Sequence, residues 1–458
     1  MIDGIARNPR GSSRMAGVAL SRRDFVASAA ASLMLAGCAK AAVPAGTGVV
    51  KVPPDFFGIH VNNASPNGLW KQNETPLPDI GARAIRLWDS GTSWRALNPA
   101  PGAFDFSRLD YRVETARAKG LEVMLTLGQA PDWAASSQGP TLQTNPNPPR
   151  RIEDWNAYVE AVAGRYSDRI NYYEIWNEPD LIEGYNGSVQ GLLELAQSAH
   201  TIIKRRAPGA KVMTPAFSVP FHGRFSGACN LKNWVEAGGL RFCDAVSVHA
   251  YPGDGLEPER VLEWLGVVRE LLDQHGMGHL PVYDTESGGR GWRDERGMLH
   301  NIPASGFNDP LPTHPVDLQS AWVTRQLLCT AMSGLRQSYY YTFDNPSGRA
   351  RTRSVMAVHM TDYPENPRRL FAPATAYRYL SGLMAGAELS EFISTGKHFS
   401  INMKSVDGRR ATVHWTGDFG SGDVPLRLGS TVFDNLGNRV PTRGTLHIGA
   451  SPLFVFEA

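Results

Sequence analysis

The sequence predicts an α/β protein built as a (β/α)8 barrel with a small C-terminal β-sandwich. Three observations lead there. From residue 55 onward, short β-branched or apolar runs alternate with longer amphipathic ones, the pattern of βα units around a parallel sheet. There are eight such short runs, and eight βα units close into a barrel of ~250 residues. After about residue 388 the helical periodicity disappears, and short β runs separated by turns take its place.

The predicted barrel strands are 56–62, 84–87, 122–127, 172–176, 211–215, 245–249, 281–285 and 337–343. Helical intervals include 107–119, 152–166, 188–206, 258–275 and 316–332, with a last helix at 372–385 closing the series. In 152–166 the apolar residues Trp155, Tyr158, Val159 and Val162 fall at three-to-four spacing, which marks one buried helix face. In the tail, 400–403, 411–415, 446–448 and 453–456 read as strands, and Asp407-Gly408 between the first two is a hairpin signal. The expected organisation is a leader at 1–38, a barrel at 50–387 and a β-sandwich at 388–458. The segment 46–52, ahead of the first barrel strand, is placed to add a strand to the sandwich.

The leader reads as an address. Ser21-Arg22-Arg23-Asp24-Phe25 is a twin-arginine pattern, followed by an apolar stretch from Val26 to Leu35 rich in Ala and Ser. That stretch is shorter than the ~20 residues a membrane-spanning helix needs. It ends in Leu35-Ala36-Gly37-Cys38, which resembles the lipobox of bacterial lipoproteins. Cleavage before Cys38 and acylation of its thiol would anchor the mature chain at the cell envelope.

Composition narrows the function. Of the 458 residues, 42% are hydrophobic and 20% charged, ordinary for a soluble globular chain. A formal net charge of +2 gives no basic surplus for nucleic acid. The expected membrane contact is the lipid anchor alone. No Cys or His spacing resembles a metal site, and no cofactor is expected. Cys229, Cys243 and Cys329 remain after Cys38. An oxidising compartment would permit a Cys229–Cys243 bridge, but twin-arginine cargo usually folds before export, in a reducing compartment. Cys329 lies in an apolar helical run and reads as a small core residue.

In a parallel eight-stranded barrel, reactive groups come from the C-terminal strand ends. Those ends collect His60 and Asn62, Arg86 and Trp88, Gln129 and Trp133, Asn177 and Glu178, His249 and Tyr251, Glu286, then Tyr341 and Asp344. Polar and aromatic side chains of this kind suit a sugar, with its many hydroxyls and flat apolar faces. Taken singly, each has a plainer reading: Arg86 as a structural ion-pair residue, Trp133 as core, His249 as a bridge between backbone groups, either glutamate as a surface charge. Two glutamates ending strands four and seven suggest one reaction, because retaining glycoside hydrolysis needs a carboxylic acid for the leaving oxygen and a carboxylate to attack the sugar carbon. The loop 287–314 follows strand seven and should overhang the site. Its one tryptophan, Trp292, is a candidate sugar contact.

Six stretches carry a family resemblance. They are Ile85-Arg86-Leu87-Trp88, Gly102 through Asp110, Ala130-Pro131-Asp132-Trp133-Ala134, Glu174 through Pro179 (Glu-Ile-Trp-Asn-Glu-Pro), Val248-His249-Ala250-Tyr251 and Thr285-Glu286. In order and spacing the chain resembles the retaining glycoside hydrolases of clan A, and most of all family 39, which includes β-xylosidases, α-L-iduronidases and exopolysaccharide hydrolases. The resemblance implies Glu178 as acid/base and Glu286 as nucleophile. It implies that Asn177 holds the sugar hydroxyl beside the reacting carbon, that His249 and Tyr251 orient the two carboxyls, and that Arg86 keeps the nucleophile ionised. His60, Trp133, Tyr341 and Trp292 complete the candidate substrate contacts. Many of these enzymes offer a Trp on strand eight where this chain offers Tyr341. The substrate implied is an oligo- or polysaccharide. Transglycosylation at the same site, or carbohydrate binding without catalysis by a lipoprotein, are the alternative functions.

The lipobox reading has a direct test. Cys38→Ser should move the protein from the membrane to the soluble fraction while leaving its specific activity intact, since the acyl chain is an anchor and no part of the site. Unchanged fractionation, or a mature N-terminus other than residue 38, would refute it.

Overall fold

A computed structural model describes residues 48–61, 79–88, 90–137, 145–181, 184–218, 229–252, 257–288, 292–293, 299–300, 316–343, 360, 370–396, 398–417 and 420–458. The leader with Cys38, Asn62, Asp344 and most of the loop after strand seven lie outside these residues. Among the described residues, no helix is long and apolar enough to cross a membrane.

Eight parallel strands form the barrel: β1 Phe57–His60, β2 Ala84–Leu87, β3 Glu122–Leu127, β4 Tyr172–Ile175, β5 Lys211–Met213, β6 Val246–Val248, β7 Val282–Ser287 and β8 Gln337–Tyr340. Their order is β5-β4-β3-β2-β1-β8-β7-β6. The seam between β5 and β6 is closed by the parallel bridges Met213↔Ala245 and Phe217↔Val248. The amide of His249 donates to Phe217 O at 2.9 Å across it. All eight strands sit where the sequence places them, within a few residues at each end.

The barrel interior is layered. Ala84, Met124, Tyr172, Met213, Ala245, Tyr283 and Tyr339 pack as one buried cluster, with side chains from seven different strands or strand ends. One pleat further along the strands, the buried residues are Arg86, Thr126 and Glu174, because side chains two apart on a strand share a face. The aromatic plug thus supports a polar floor, and the site lies above that floor.

Around the barrel run α1 Ser107–Ala118, α2 Ile152–Arg165, α3 Val189–Arg206, α4 Val261–Gln274, α5 Val316–Met332 and α6 Ala372–Met384. On α2 the buried residues are Trp155, Tyr158, Val159, Val162 and Ala163, the face the spacing predicts. Ser188 caps α3, its side chain accepting from Gly191 N at 3.0 Å, which satisfies one orphan donor of the first turn.

The C-terminal strands are β9 Glu388–Thr395, β10 His398–Lys404, β11 Arg410–Thr416, β12 Gly422–Pro425, β13 Thr431–Phe433, β14 Arg439–Val440, β15 Thr445–Ile448 and β16 Leu453–Phe456. Val50–Lys51 joins the larger sheet antiparallel to β9, as Val50↔Leu389, so the segment before the barrel does extend the sandwich. That sheet runs Val50–Lys51, β9, β10, β11, β16, β13, β14, and β12 pairs with β15 apart from it. Asp407-Gly408 makes the turn between β10 and β11, with Gly408 at φ +86°, a value glycine adopts without strain. Cys229, Cys243 and Cys329 are free thiols. Cys229 Sγ donates to Gly187 O at 3.8 Å and Cys243 Sγ to Leu240 O at 3.4 Å. The Cys229–Cys243 bridge is absent.

A buried ion pair ties the sandwich to the barrel. Arg325 on α5 donates from Nε to Glu259 Oε1 at 2.7 Å and from Nη2 to Glu259 Oε2 at 2.6 Å. Trp415 of β11 donates its indole N–H to the same Glu259 Oε1 at 2.8 Å. Removing the guanidinium strands a buried carboxylate, so Arg325→Met should lower unfolding free energy by about 3–5 kcal/mol, read from urea denaturation at neutral pH. A loss under about 1 kcal/mol would show that water or protonation relieves the stranded carboxylate.

Candidate active site

The loop leaving β4 is built to turn its side chains inward. Trp176 and Glu178 both have positive φ, +71° and +46°, a region uncommon for residues with a side chain. The backbone is held there from both sides. Trp176 N donates to Leu127 O at 2.8 Å, Glu178 N to Ala216 O at 2.8 Å, and Ala216 N to Trp176 O at 3.1 Å. The Trp176 indole N–H reaches Gly184 O at 2.8 Å. Gly184 packs so tightly here that a Cβ would lie 1.8 Å from the carbonyl oxygen of Glu178. Only glycine fits. Asp180 is buried and accepts from Ser218 N and Oγ, both at 3.1 Å, tying this loop to the one after β5.

Arg86 on β2 is the centre of the arrangement. Its Nε and Nη2 donate to Glu174 Oε2 at 3.0 and 2.6 Å. Nη2 also donates to Asn177 Oδ1 at 2.6 Å, and Nη1 to Glu286 Oε2 at 2.8 Å. His60 Nδ1 lies 3.3 Å from Nη1 and 3.7 Å from Glu286 Oε2. Thr126 Oγ1 adds a 2.6 Å bond to Glu174 Oε2. Burial opposes charge on Glu174, but Arg86 and its other partners outweigh it and hold the carboxyl below its ordinary range.

Each candidate glutamate has its own orienting group. Tyr251 donates its hydroxyl to Glu286 Oε1 at 3.0 Å. Burial, then the nearby Glu286 charge, push that hydroxyl well above its usual pKa, so it stays a donor. His249 Nδ1 sits 2.9 Å from Glu178 Oε1. One oxygen of Glu178, one of Glu286 and a His249 ring nitrogen all lie within 4.8 Å of one another. Such a trio has the spacing of metal ligands, but Arg86 already places a fixed positive charge against Glu286, which opposes a second cation there.

The structure therefore brings together Glu178, Glu286, Asn177, Arg86, His249, Tyr251 and His60. Tyr341 belongs to the same wall, its ring edge-on to His60 at 4.6 Å between centroids. Trp133, part-exposed on the loop after β3, is held by the neighbouring loop. Its indole N–H donates to Asn98 O at 2.9 Å and its ring meets Trp94 at 6.5 Å. Trp292 lies in a two-stranded ribbon, paired with His300. Sequence reasoning missed Glu174, Thr126 and Asp284. Glu174 had a partial signal, an acidic residue inside a run otherwise apolar and aromatic, which does not say which way it faces.

Burial pushes the His249 imidazole down to about 4, against the pull of Glu286. It is neutral at pH 7. Unfolded, it takes a proton near 6.5. Between these values the unfolded chain binds more protons, so this contribution is complete above about pH 6.5 and is lost as the pH falls toward 4. Asp284, which burial pushes up to about 6 from 3.8, acts in the opposite sense over its own window. The His249 share is isolated by difference. Relative to His249→Gln, the wild-type protein should lose roughly 3 kcal/mol of stability between pH 7 and pH 4, measured by urea unfolding at each pH. A difference that stays flat would mean that the imidazole charges freely in the folded chain.

A (β/α)8 barrel with two carboxylates, an asparagine and an arginine at its C-terminal strand ends is the architecture of a glycoside hydrolase. The family model for glycosyl hydrolases family 39 matches residues 72–300, half of the chain, and the chain belongs to that family. No curated protein matches the sequence. Among solved structures, a family 39 glycoside hydrolase from the gut symbiont Bacteroides cellulosilyticus WH2 superposes with a TM-score of 0.63 at 17% identity, covering 88% of this chain and 81% of that one. A glucosidase from Croceicoccus marinus gives 0.59 at 13% identity, covering 90% and 97%. A family 30 endoxylanase from Clostridium papyrosolvens C71 gives 0.52 at 14% identity, covering 90% and 98%. At these identities the similarity concerns the fold.

Proposed function

We propose that this chain is a retaining glycosidase that cleaves an oligo- or polysaccharide by double displacement, β-xylosidase-like or acting on an exopolysaccharide. The observation that carries this reading is the approach of Glu178 and Glu286, with a carboxylate oxygen of each within 4.8 Å. A nearest-oxygen approach this short supports the ~5–5.5 Å carboxyl separation of retaining enzymes over the roughly 6.5–9.5 Å at which inversion leaves room for water.

In this reading Glu286 attacks the sugar carbon. Arg86 and Tyr251 donate to its two oxygens, which supports a carboxylate there. Glu178 gives its proton to the leaving oxygen. Neutral His249 donates from Nδ1 to Glu178 Oε1, so the acid proton sits on Oε2. The other ring nitrogen, Nε2, has no hydrogen-bond partner among the described residues, and in this tautomer it carries only a lone pair. A covalent glycosyl-enzyme forms on Glu286. Glu178, now ionised, takes a proton from water, and the hydroxide cleaves the ester with a second inversion. With Oδ1 committed to Arg86, Asn177 offers its Nδ2 amide to the hydroxyl beside the reacting carbon. The twin-arginine leader and Cys38 support action at the cell envelope, after export and lipidation.

An NMR time course tests the stereochemistry. The first product anomer should match the substrate's, and the opposite anomer appearing first would remove Glu286 from the nucleophile role. Glu178→Ala should lose roughly 10²–10⁴-fold on substrates with poor leaving groups and far less on activated aryl glycosides. Azide should restore aryl glycoside turnover. Equal losses on both, without rescue, would count against Glu178 as acid/base.

A further inference from the structure

A kink in β7 raises a question that the two glutamates do not answer. Tyr283 faces the barrel interior with the plug, so strict alternation would turn Asp284 and Glu286 to the outer face. Yet Glu286 points inward to Arg86. The register explains this. Ser338 of β8 pairs with Asp284, but Tyr340 pairs with Ser287. Three steps on β7 match two on β8, which is a β-bulge at Thr285–Glu286, and bulges re-aim side chains.

Asp284 spans that bulge. It is fully buried. Its Oδ2 accepts from Ser287 Oγ at 2.5 Å and from Ser338 Oγ at 2.7 Å, the residues that flank the irregularity on the two strands. Its Oδ1 accepts from Ala250 N at 3.1 Å. Ala250 lies between His249, which meets Glu178, and Tyr251, which meets Glu286. The carbonyl of Ala250 is held in turn by Gln326 Nε2 of α5 at 2.7 Å.

We propose that Asp284 is a positioning residue for this site: its one carboxylate holds both the bulge that aims Glu286 and the backbone that carries His249 and Tyr251. This rests on the glutamate roles proposed above. Burying a carboxylate is costly unless donors satisfy it, so a carboxylate one strand position below the bulge, with three donors on three different elements, serves to fix those elements relative to one another. Asparagine could still accept from Ala250 N but would lose acceptance from the two serines. Alanine would release all three.

The test is kinetic and structural together. With the glycoside that the wild-type protein turns over, Asp284→Ala should lower kcat about a hundredfold, the scale of an ångström-sized misplacement, with KM changed less than threefold. Asp284→Asn should recover part of that loss. Ser338→Ala, which removes a single bond, should cost less than either and keeps the test open should the alanine variant fail to fold. A kcat unchanged in these variants, or one falling only in step with the folded fraction, would overturn the proposal. Crystal structures of the variants judge it independently of turnover. The proposal predicts that the 3.0 Å Tyr251–Glu286 bond opens in Asp284→Ala, and an intact bond there overturns it. A wild-type protein inactive on every glycoside would defeat the glycosidase roles, and those crystal structures would still decide whether Asp284 sets the bulge.

Discussion

The burial of Arg86 is the constraint on which the rest of the site depends. A guanidinium with no solvent exposure must have its charge met by partners inside the barrel, and it finds carboxylates on two strands, β4 and β7. Because β2, β4 and β7 lie around one closed sheet, a single planar group can draw their side chains to the axis. The sharing has a chemical consequence. Glu174 accepts from Nε and Nη2 and Glu286 from Nη1, so the arginine's charge is divided and the cluster of Arg86, Glu174 and Glu286 retains a net negative charge when both carboxyls are ionised. A carboxylate engaged by one arm of a shared guanidinium is oriented by it while keeping more of its electron density than an exclusive, bidentate partner would.

The barrel makes this arrangement affordable by dividing its interior into layers. The aromatic plug below keeps water from the lower barrel, and the polar floor of Arg86, Thr126 and Glu174 sits on it. Above the floor, each working group is reached by backbone already committed elsewhere. His249 is fixed by its amide to Phe217 across the barrel seam, and Glu178 by its amide to Ala216. Barrel closure and site geometry are therefore one problem. The bonds that join β5 to β6 are also the bonds that place His249 beside Glu178.

The eight strands and the ring of residues at their ends were legible because a buried parallel strand is a nearly continuous apolar run, so its polar end stands out. Glu178 and Glu286 are the first acidic residues after such runs, and Arg86 interrupts one. Glu174 and Asp284 were harder to see. A carboxylate inside a short strand can face the barrel axis or the helices, and only the partners show which. For Asp284 the alternation rule points Glu286 the wrong way, because the bulge that corrects it leaves no mark in the sequence. Trp133 carries a contact that the sequence could not show: its indole N–H is committed to the Asn98 carbonyl, a bond set by the fold of the preceding loop. The leader, with Cys38, speaks through sequence alone.

Two opposed titrations share this small volume, and their opposition follows from one cause. Burial penalises charge of either sign, so it lowers the His249 imidazole to about 4 and raises the Asp284 carboxyl to about 6. The first effect withdraws stability as the solution turns acid, and the second restores some of it. Their windows overlap between about pH 4 and 6, so the summed stability profile there is flatter than either residue alone would make it. A flat profile for the whole protein thus says little about the site, and only variants that remove one group at a time expose the two slopes. Within the site, the neutral imidazole beside one glutamate and the buried carboxylate behind the other therefore offset each other's response to mild acid.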